Sequence, residues 1–292
     1  MSESLDRLVD LMDLENLEIN LFRGQSPTET TGRIFGGQVL GQALVAASRT
    51  VEEEREIHSL HGYFLRPGDP KVPIVFDVDR IRDGRSFTTR RVVAIQHGRA
   101  IFSMSSSFQV REDGVSHQSD MPDVPPPEDL KSETELRVEI MDKIPEKLKS
   151  WFARERPIEL RPVEPFDLTD PPVRSSNKNV WFKARNALPD DPRVHQCVLL
   201  YASDMTLLGT ALGPHGFGFL THNLQMASLD HSMWFHRPFR ADEWMLYAQD
   251  SPSASGSRGF TRGEIYSRDG QLIASVTQEG LMRLHDDEEK QK

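Results

Sequence analysis

The chain has 292 residues, 37% hydrophobic and 27% charged, a balance that excludes disordered and fibrous classes and leaves one large domain or two similar modules. Its formal net charge is -10, with Lys and Arg dispersed among the acids, which excludes a dedicated nucleic-acid surface. The single cysteine, Cys197, excludes an intrachain disulfide and a cysteine-based metal site.

Taken in chain order, Leu5, Leu8, Val9 and Met12 have helical spacing, and residues 16–22 alternate like a strand. Gly36 and Gly37 precede a run of small and apolar residues, 38–47, that predicts a helix buried on most sides. Strands are predicted at 58–65, 72–82, 87–95 and 99–110, with Asp83-Gly84 and His97-Gly98 supplying turns. From 113 to 172 the composition turns to Pro, Glu, Asp and Lys, with a helix expected over 129–152. A strand near 179–184 and a long apolar helix over 194–212 follow, then more strands. No basic start leads into an apolar core, and no apolar run approaches the ~20 residues of a membrane span. The tail from Glu288 to Lys292 does not read as a peroxisomal address. A cytoplasmic protein without membrane or nucleic-acid partners is therefore expected.

The order of elements repeats. Gly84-Arg85-Ser86-Phe87-Thr88 matches Ser257-Arg258-Gly259-Phe260-Thr261 at an offset of 173, and Gly98, Ile101 and Ser103 match Gly270, Ile273 and Ser275 at 172. Ser59-Leu60-His61 and Arg66-Pro67 likewise resemble Ser228-Leu229, His231 and Arg237-Pro238. A buried helix followed by antiparallel strands, used twice, predicts an α+β double hotdog: an N-terminal repeat over 1–112, a proline-rich, partly helical connector over 113–172 and a C-terminal repeat over 173–292.

Three segments, Gly32-Arg33-Ile34-Phe35-Gly36-Gly37-Gln38, Ser228-Leu229-Asp230-His231-Ser232-Met233-Trp234-Phe235-His236-Arg237-Pro238 and Ala274-Ser275-Val276-Thr277-Gln278-Glu279-Gly280, resemble signatures of the type II acyl-CoA thioesterase (TesB-like) family. The resemblance runs from the N-terminal helix to Arg283 and is weakest in the connector. It implies a double hotdog that hydrolyses fatty acyl-CoA to fatty acid and CoA without metal or organic cofactor, placing the chain in fatty acid metabolism. It also implies a water held by Asp204, Ser228 and Gln278, with Ser228 standing where the family pattern more often has Thr. Both residue types supply the hydroxyl.

The residues carry a reading of their own. Thioester hydrolysis needs an oriented water, a base, and donors for the oxyanion. Asp204 interrupts an apolar helix, where an unpaired charge is costly, so it reads as a functional carboxylate or as half of a buried salt bridge or cap. Gln278 should share the inward face of Ala274 and Val276, where an amide needs partners. Ser106 holds the equivalent position in the first half, and no acidic residue falls between Gln38 and Ser48. Gly36 and Gly37 read either as amide donors of an oxyanion hole or as a tight packing point. Asp230, His231 and His236 read as polar pairs at the junction of the halves, with catalysis by His231 the lesser alternative; Arg66, Arg90, Arg91, Arg258 and Arg262 read as solvated surface groups, with contacts to CoA phosphates the alternative. Two competing functions are a hotdog hydratase or dehydratase using Asp190-Asp191-Pro192-Arg193-Val194-His195, a segment also explained by helix capping, and a non-catalytic acyl-CoA sensor. A homodimer or homotetramer is expected.

Overall fold

In the computed structural model, residues 3–27, 32–165, 169–218, 220 and 222–285 are described, so the tail from Glu288 lies outside the described residues. The first half comprises α1 (Glu3–Met12), β1 (Glu15–Glu18), β2 (Leu21–Gly24), α2 (Gly36–Ser48), β3 (Arg55–Phe64), β4 (Ile74–Asp83), β5 (Phe87–Gln96) and β6 (Arg99–Val110). Then come α3 (Glu133–Ile140), α4 (Glu146–Phe152) and β7 (Ile158–Pro162). The second half carries β8 (Asn177–Ala184), α5 (Pro192–Ser203), β9 (Leu224–Ser228), β10 (Asp230–Phe235), β11 (Met245–Ser255), β12 (Arg258–Ser267) and β13 (Leu272–Leu284).

The strands form one antiparallel sheet in the order β1-β2-β4-β5-β6-β3-β10-β13-β12-β11-β8-β7, with β9 added on β13. The halves meet where β3 pairs β10, Leu60 opposite Met233. Each half curls around its own helix, and α2 and α5 pack together inside, giving the double hotdog. Small residues permit this: a side chain on Gly37 would collide with the Tyr201 carbonyl, and one on Gly41 would lie 3.4 Å from the Cys197 carbonyl and press on Met12. Leu40 and Leu44 of α2 and Leu199 and Leu200 of α5 are fully buried in the core, each contributing about 1.5–3 kcal/mol by leaving water.

The strand ladders measure the duplication. Asp79 lies opposite Arg91, and Asp250 opposite Arg262, each second member standing 171 residues after the first (79 to 250, 91 to 262). Both pairs are ion pairs, and both strands lose register at the next step, between 79 and 82 and between 250 and 253. The pentapeptide match at 173 is thus two residues out of the structural register. A shift of two preserves the inward and outward alternation, so patterning alone does not detect it.

Three expected elements are also corrected. Residues 16–22 form two short strands around a turn. The connector helix is broken into α3, begun by a Ser132–Glu135 capping box, and α4, begun after Pro145. The helix expected over 194–212 ends at Ser203, and the chain resumes as a 3-10 helix over Leu208–His215. There Gln249 holds Thr206 and Thr210 at 2.5 and 2.7 Å, and Gly209, Gly213 and Pro214 weaken any α-helical continuation. Residues 192–215 are long and apolar enough to cross a membrane, yet most of this segment is buried among the strands.

The candidate active site at the end of α5

Asp204 is the C-cap of α5, with φ -83° and ψ -9°. Its carboxylate stands between two helix ends, because the N-terminus of α2 abuts it: a side chain on Gly36 would lie 2.7 Å from Asp204 Oδ2 and 3.0 Å from the Phe64 ring. The C-terminal end of α5 disfavours negative charge and the N-terminal end of α2 favours it. The α2 N-cap, Phe35, offers no side-chain acceptor to the first amides. Close packing excludes a side chain at Gly36 and Gly37, and the Gly37 amide donates to the carboxylate.

Gln278 reaches the same point from β13. Thr277 faces outward and Gln278 is fully buried, and its Nε2 donates to Asp204 Oδ1 at 2.7 Å and lies 3.2 Å from His231 Nδ1. The amide has two hydrogens, so both are committed. Gln278 Oε1 is buried without a hydrogen-bond partner in the protein. Ser228, at the end of β9 opposite Gly280, directs its hydroxyl to Asp204 Oδ1 at a long 3.4 Å. Asp204, Ser228 and Gln278 are thus brought together.

Burial pushes the Asp204 carboxyl up to about 6, opposed by the Gln278 hydrogen bond, the Gly37 amide, the Ser228 hydroxyl and the charge of Arg33. Asp204 keeps some surface area, but its environment is that of an enclosed group. A carboxylate with this affinity for protons can accept one near neutral pH and return it. Arg33, which donates to the Met226 carbonyl at 2.7 Å, is a charge near the site whose part the sequence alone did not mark.

His231 differs from the expectation of a junction pair. It is fully buried and lies 2.9 Å from Ser203 Oγ through Nε2, whereas the junction itself is served by His61 with Ser232 at 3.1 Å. Asp230 accepts from the Glu279 amide at 2.7 Å, and His236 meets Ser275 at 2.9 Å. The Asp190 to His195 segment is structural: Asp191 caps α5 through the Arg193 amide at 2.9 Å, Asp190 pairs with Arg240 at 2.5 Å, and His195 Nδ1 accepts from the Ala241 amide at 2.9 Å.

Arg90 is the other correction. Only 2% of its side chain is exposed, and its donors reach Thr50 Oγ1 (2.8 Å), the carbonyls of Thr50 (3.0 Å), Arg82 (3.2 Å) and Thr89 (3.0 Å), and Asp83 Oδ1 (2.6 Å). It lies opposite Ser106 as Thr261 lies opposite Gln278. Its period-2 position on β5, inward with Thr88 and Val92, was the available signal.

Comparison with known proteins identifies the family. Residues 148–281 match the family model described as acyl-CoA thioesterase, and residues 25–109 match the one described as acyl-CoA thioesterase N-terminal domain. The chain is 44% identical to acyl-CoA thioesterase 2 of Haemophilus influenzae, over 97% of this chain and 99% of the relative. It is 46% identical to acyl-coenzyme A thioesterase 8 of Mus musculus, over 95% of this chain and 89% of the relative. The crystal structure of the acyl-CoA thioesterase II TesB2 from Mycobacterium marinum superposes with a TM-score of 0.77 at 46% identity, covering 96% of this chain and 98% of that one.

Proposed function

The chain belongs to the acyl-CoA thioesterase family, and from that premise we propose that Asp204, Ser228 and Gln278 hold the water that attacks the thioester. It is a thioester hydrolase acting on acyl-CoA. In the proposed step the water oxygen bonds to the thioester carbonyl carbon while Asp204 takes one water proton. The resulting oxyanion is stabilised by the Gly36 amide and the dipole at the start of α2, the Gly37 amide being held by Asp204. Collapse of that intermediate breaks the carbon–sulfur bond, and the proton on Asp204 passes to the departing sulfur. The products are the carboxylic acid and the free thiol of coenzyme A.

The observation that carries this reading is the state of the Gln278 amide. Both hydrogens are committed to protein acceptors, and the buried Oε1 is left without a protein partner. Such an acceptor costs about 1–3 kcal/mol if nothing meets it. A water donating one hydrogen to Oε1 and the other to Asp204 satisfies both groups. Ser228, at 3.4 Å from the carboxylate, is loosely enough held to share its hydroxyl with that water.

The same proposal takes fatty acyl-CoA as the substrate, fatty acid metabolism as the setting, the cytoplasm as the compartment and a homodimer or homotetramer as the working form. It keeps the division into repeats over 1–112 and 173–292 with a connector between them. The family resemblance supports the substrate class, and the symmetric association common among oligomers supports the last point.

The test is release of free thiol from acyl-CoA esters of several chain lengths by the native chain and by folded Asp204→Asn. A fall of about 100-fold or more in kcat is expected, the usual scale for loss of a general base. Unchanged turnover in Asp204→Asn overturns the assignment of the base.

A further inference from the structure

We propose that His231 is a positioning residue, which fixes the Gln278 amide so that its carbonyl oxygen, and not its nitrogen, faces the reacting water. This inference rests on the proposed water site and adds to it a residue outside the Asp204, Ser228 and Gln278 set.

The protons along one chain of contacts are fixed in turn. Ser203 Oγ lies 2.8 Å from the Leu200 carbonyl, an acceptor only, so the single hydroxyl hydrogen is directed there. Ser203 Oγ therefore accepts from its other neighbour, His231 Nε2, at 2.9 Å. With the hydrogen on Nε2, a neutral imidazole presents a lone pair at Nδ1. Burial keeps the ring neutral, lowering its affinity for protons to about 3. Nδ1 lies 3.2 Å from Gln278 and can only accept there, so it demands Nε2 of the amide and repels Oε1. Asp204 Oδ1 makes the same demand at 2.7 Å.

The two demands differ in when they apply. Asp204 enforces the amide orientation only while ionised, and in the proposed cycle it becomes protonated as the water attacks. A protonated carboxyl can donate, so it would tolerate a rotated amide with Oε1 turned toward it. His231 does not change state, because its tautomer is set by Ser203 and the carbonyl at the end of α5. It holds the amide through the step in which Asp204 cannot. Tyr247, whose hydroxyl donates to the Ser203 carbonyl at 3.2 Å, braces the same turn.

The first half supplies the contrast. Ser106, the counterpart of Gln278, lies opposite Leu60 on β3, which has no hydrogen-bonding side chain. On β10, Ser232 lies opposite Thr277, which puts His231 beside Gln278. The imidazole is present in the half that carries the amide and the carboxylate.

The experiment is a double-mutant cycle in kcat and KM for an acyl-CoA ester, with thermal unfolding followed on every variant. His231→Leu is expected to lower kcat about 30-fold with KM within about 3-fold, and to have less than about a 2-fold effect when Gln278 is already Ala, because the residues act as a unit. His231→Asn, which can again accept from Gln278 and donate to Ser203, should stay within about 5-fold of the native kcat. If His231→Leu does not fold, Ser203→Ala takes its place. Freeing the tautomer should lower kcat about 5-fold, and that loss should vanish in the Gln278→Ala background. A full loss from His231→Leu in the Gln278→Ala background, or equal losses in His231→Asn and His231→Leu, overturns the positioning role in favour of packing. A Gln278→Ala variant with native kcat instead overturns the water site itself. Native kcat in His231→Leu with a damaged Gln278→Ala overturns this inference alone.

Discussion

At the end of α2 the cap is Arg49, paired with Asp13, and the inward position across from Ser106 is filled by Arg90. At the end of α5 the cap is Asp204, and the inward position across from Gln278 is filled by Thr261, whose hydroxyl donates to the main-chain carbonyl of Gln278 at 3.0 Å. Arg90 has five N–H donors and meets five acceptors, including the Thr50 carbonyl just past α2. Gln278 commits its two hydrogens and leaves an oxygen without a protein partner. One polar cluster is closed and can only stabilise; the other is open and can bind. The helix starts differ in the same sense. At α5 the N-cap Asp191 occupies an amide of the first turn, while at α2 the N-cap Phe35 offers none and the Gly37 amide meets the Asp204 carboxylate instead.

Removing Arg90 tests the closed cluster. Arg90→Leu strips partners from three carbonyls and should destabilise the fold by about 3–4 kcal/mol in urea unfolding, while thiol release well below the transition stays within about 2-fold. Activity that falls in step with stability would break the comparison.

The open cluster should carry the opposite liability. Asp204 ionises in the unfolded chain near 3.8 and in the folded protein near 6, so the folded state holds the proton longer and stability declines as pH rises between these values. Above pH 6 that cost is complete. Asp204→Asn should therefore be about 2–3 kcal/mol more stable than the native chain at pH 7, with the gain disappearing below about pH 4. Comparing melting temperatures at pH 4 and pH 7 checks it.

Importing first-half chemistry sharpens the contrast further. Gln278→Ser, which copies Ser106, should lower kcat about 30-fold, and Ser106→Ala should change it by less than about 2-fold. Acidity bears on the open cluster alone: because the base must be ionised, kcat/KM should fall about tenfold per pH unit below about 6 and level off above it.

Much of this was legible in the sequence, for physical reasons that also mark where legibility stops. Strands such as β5 and β6 alternate cleanly, so their limits at 87–96 and 99–110 lie close to those expected. Asp204 could be picked out as a charge in an apolar run, and Gln278 as an amide on an inward face. The end of α5 could not, because it depends on Gln249 from β11 drawing Thr206 and Thr210 aside. The register of the repeat was misread by two because that shift leaves every side chain on its face. Arg90 was taken for a surface group because its acceptors come from three separate segments. The link from His231 to Ser203 spans 28 residues and exists only where α5 stops.

The central claim is that Asp204 delivers water and does not itself attack the thioester. A single turnover in water enriched in oxygen-18, with enzyme in excess over acyl-CoA, tests it most directly. Direct water attack predicts one heavy oxygen in the released acid and none in the peptide containing Asp204, read by mass spectrometry. Heavy oxygen in the Asp204 carboxyl, or an unlabelled acid from the first turnover, would show that the carboxylate had bonded to the acyl group and would contradict the claim.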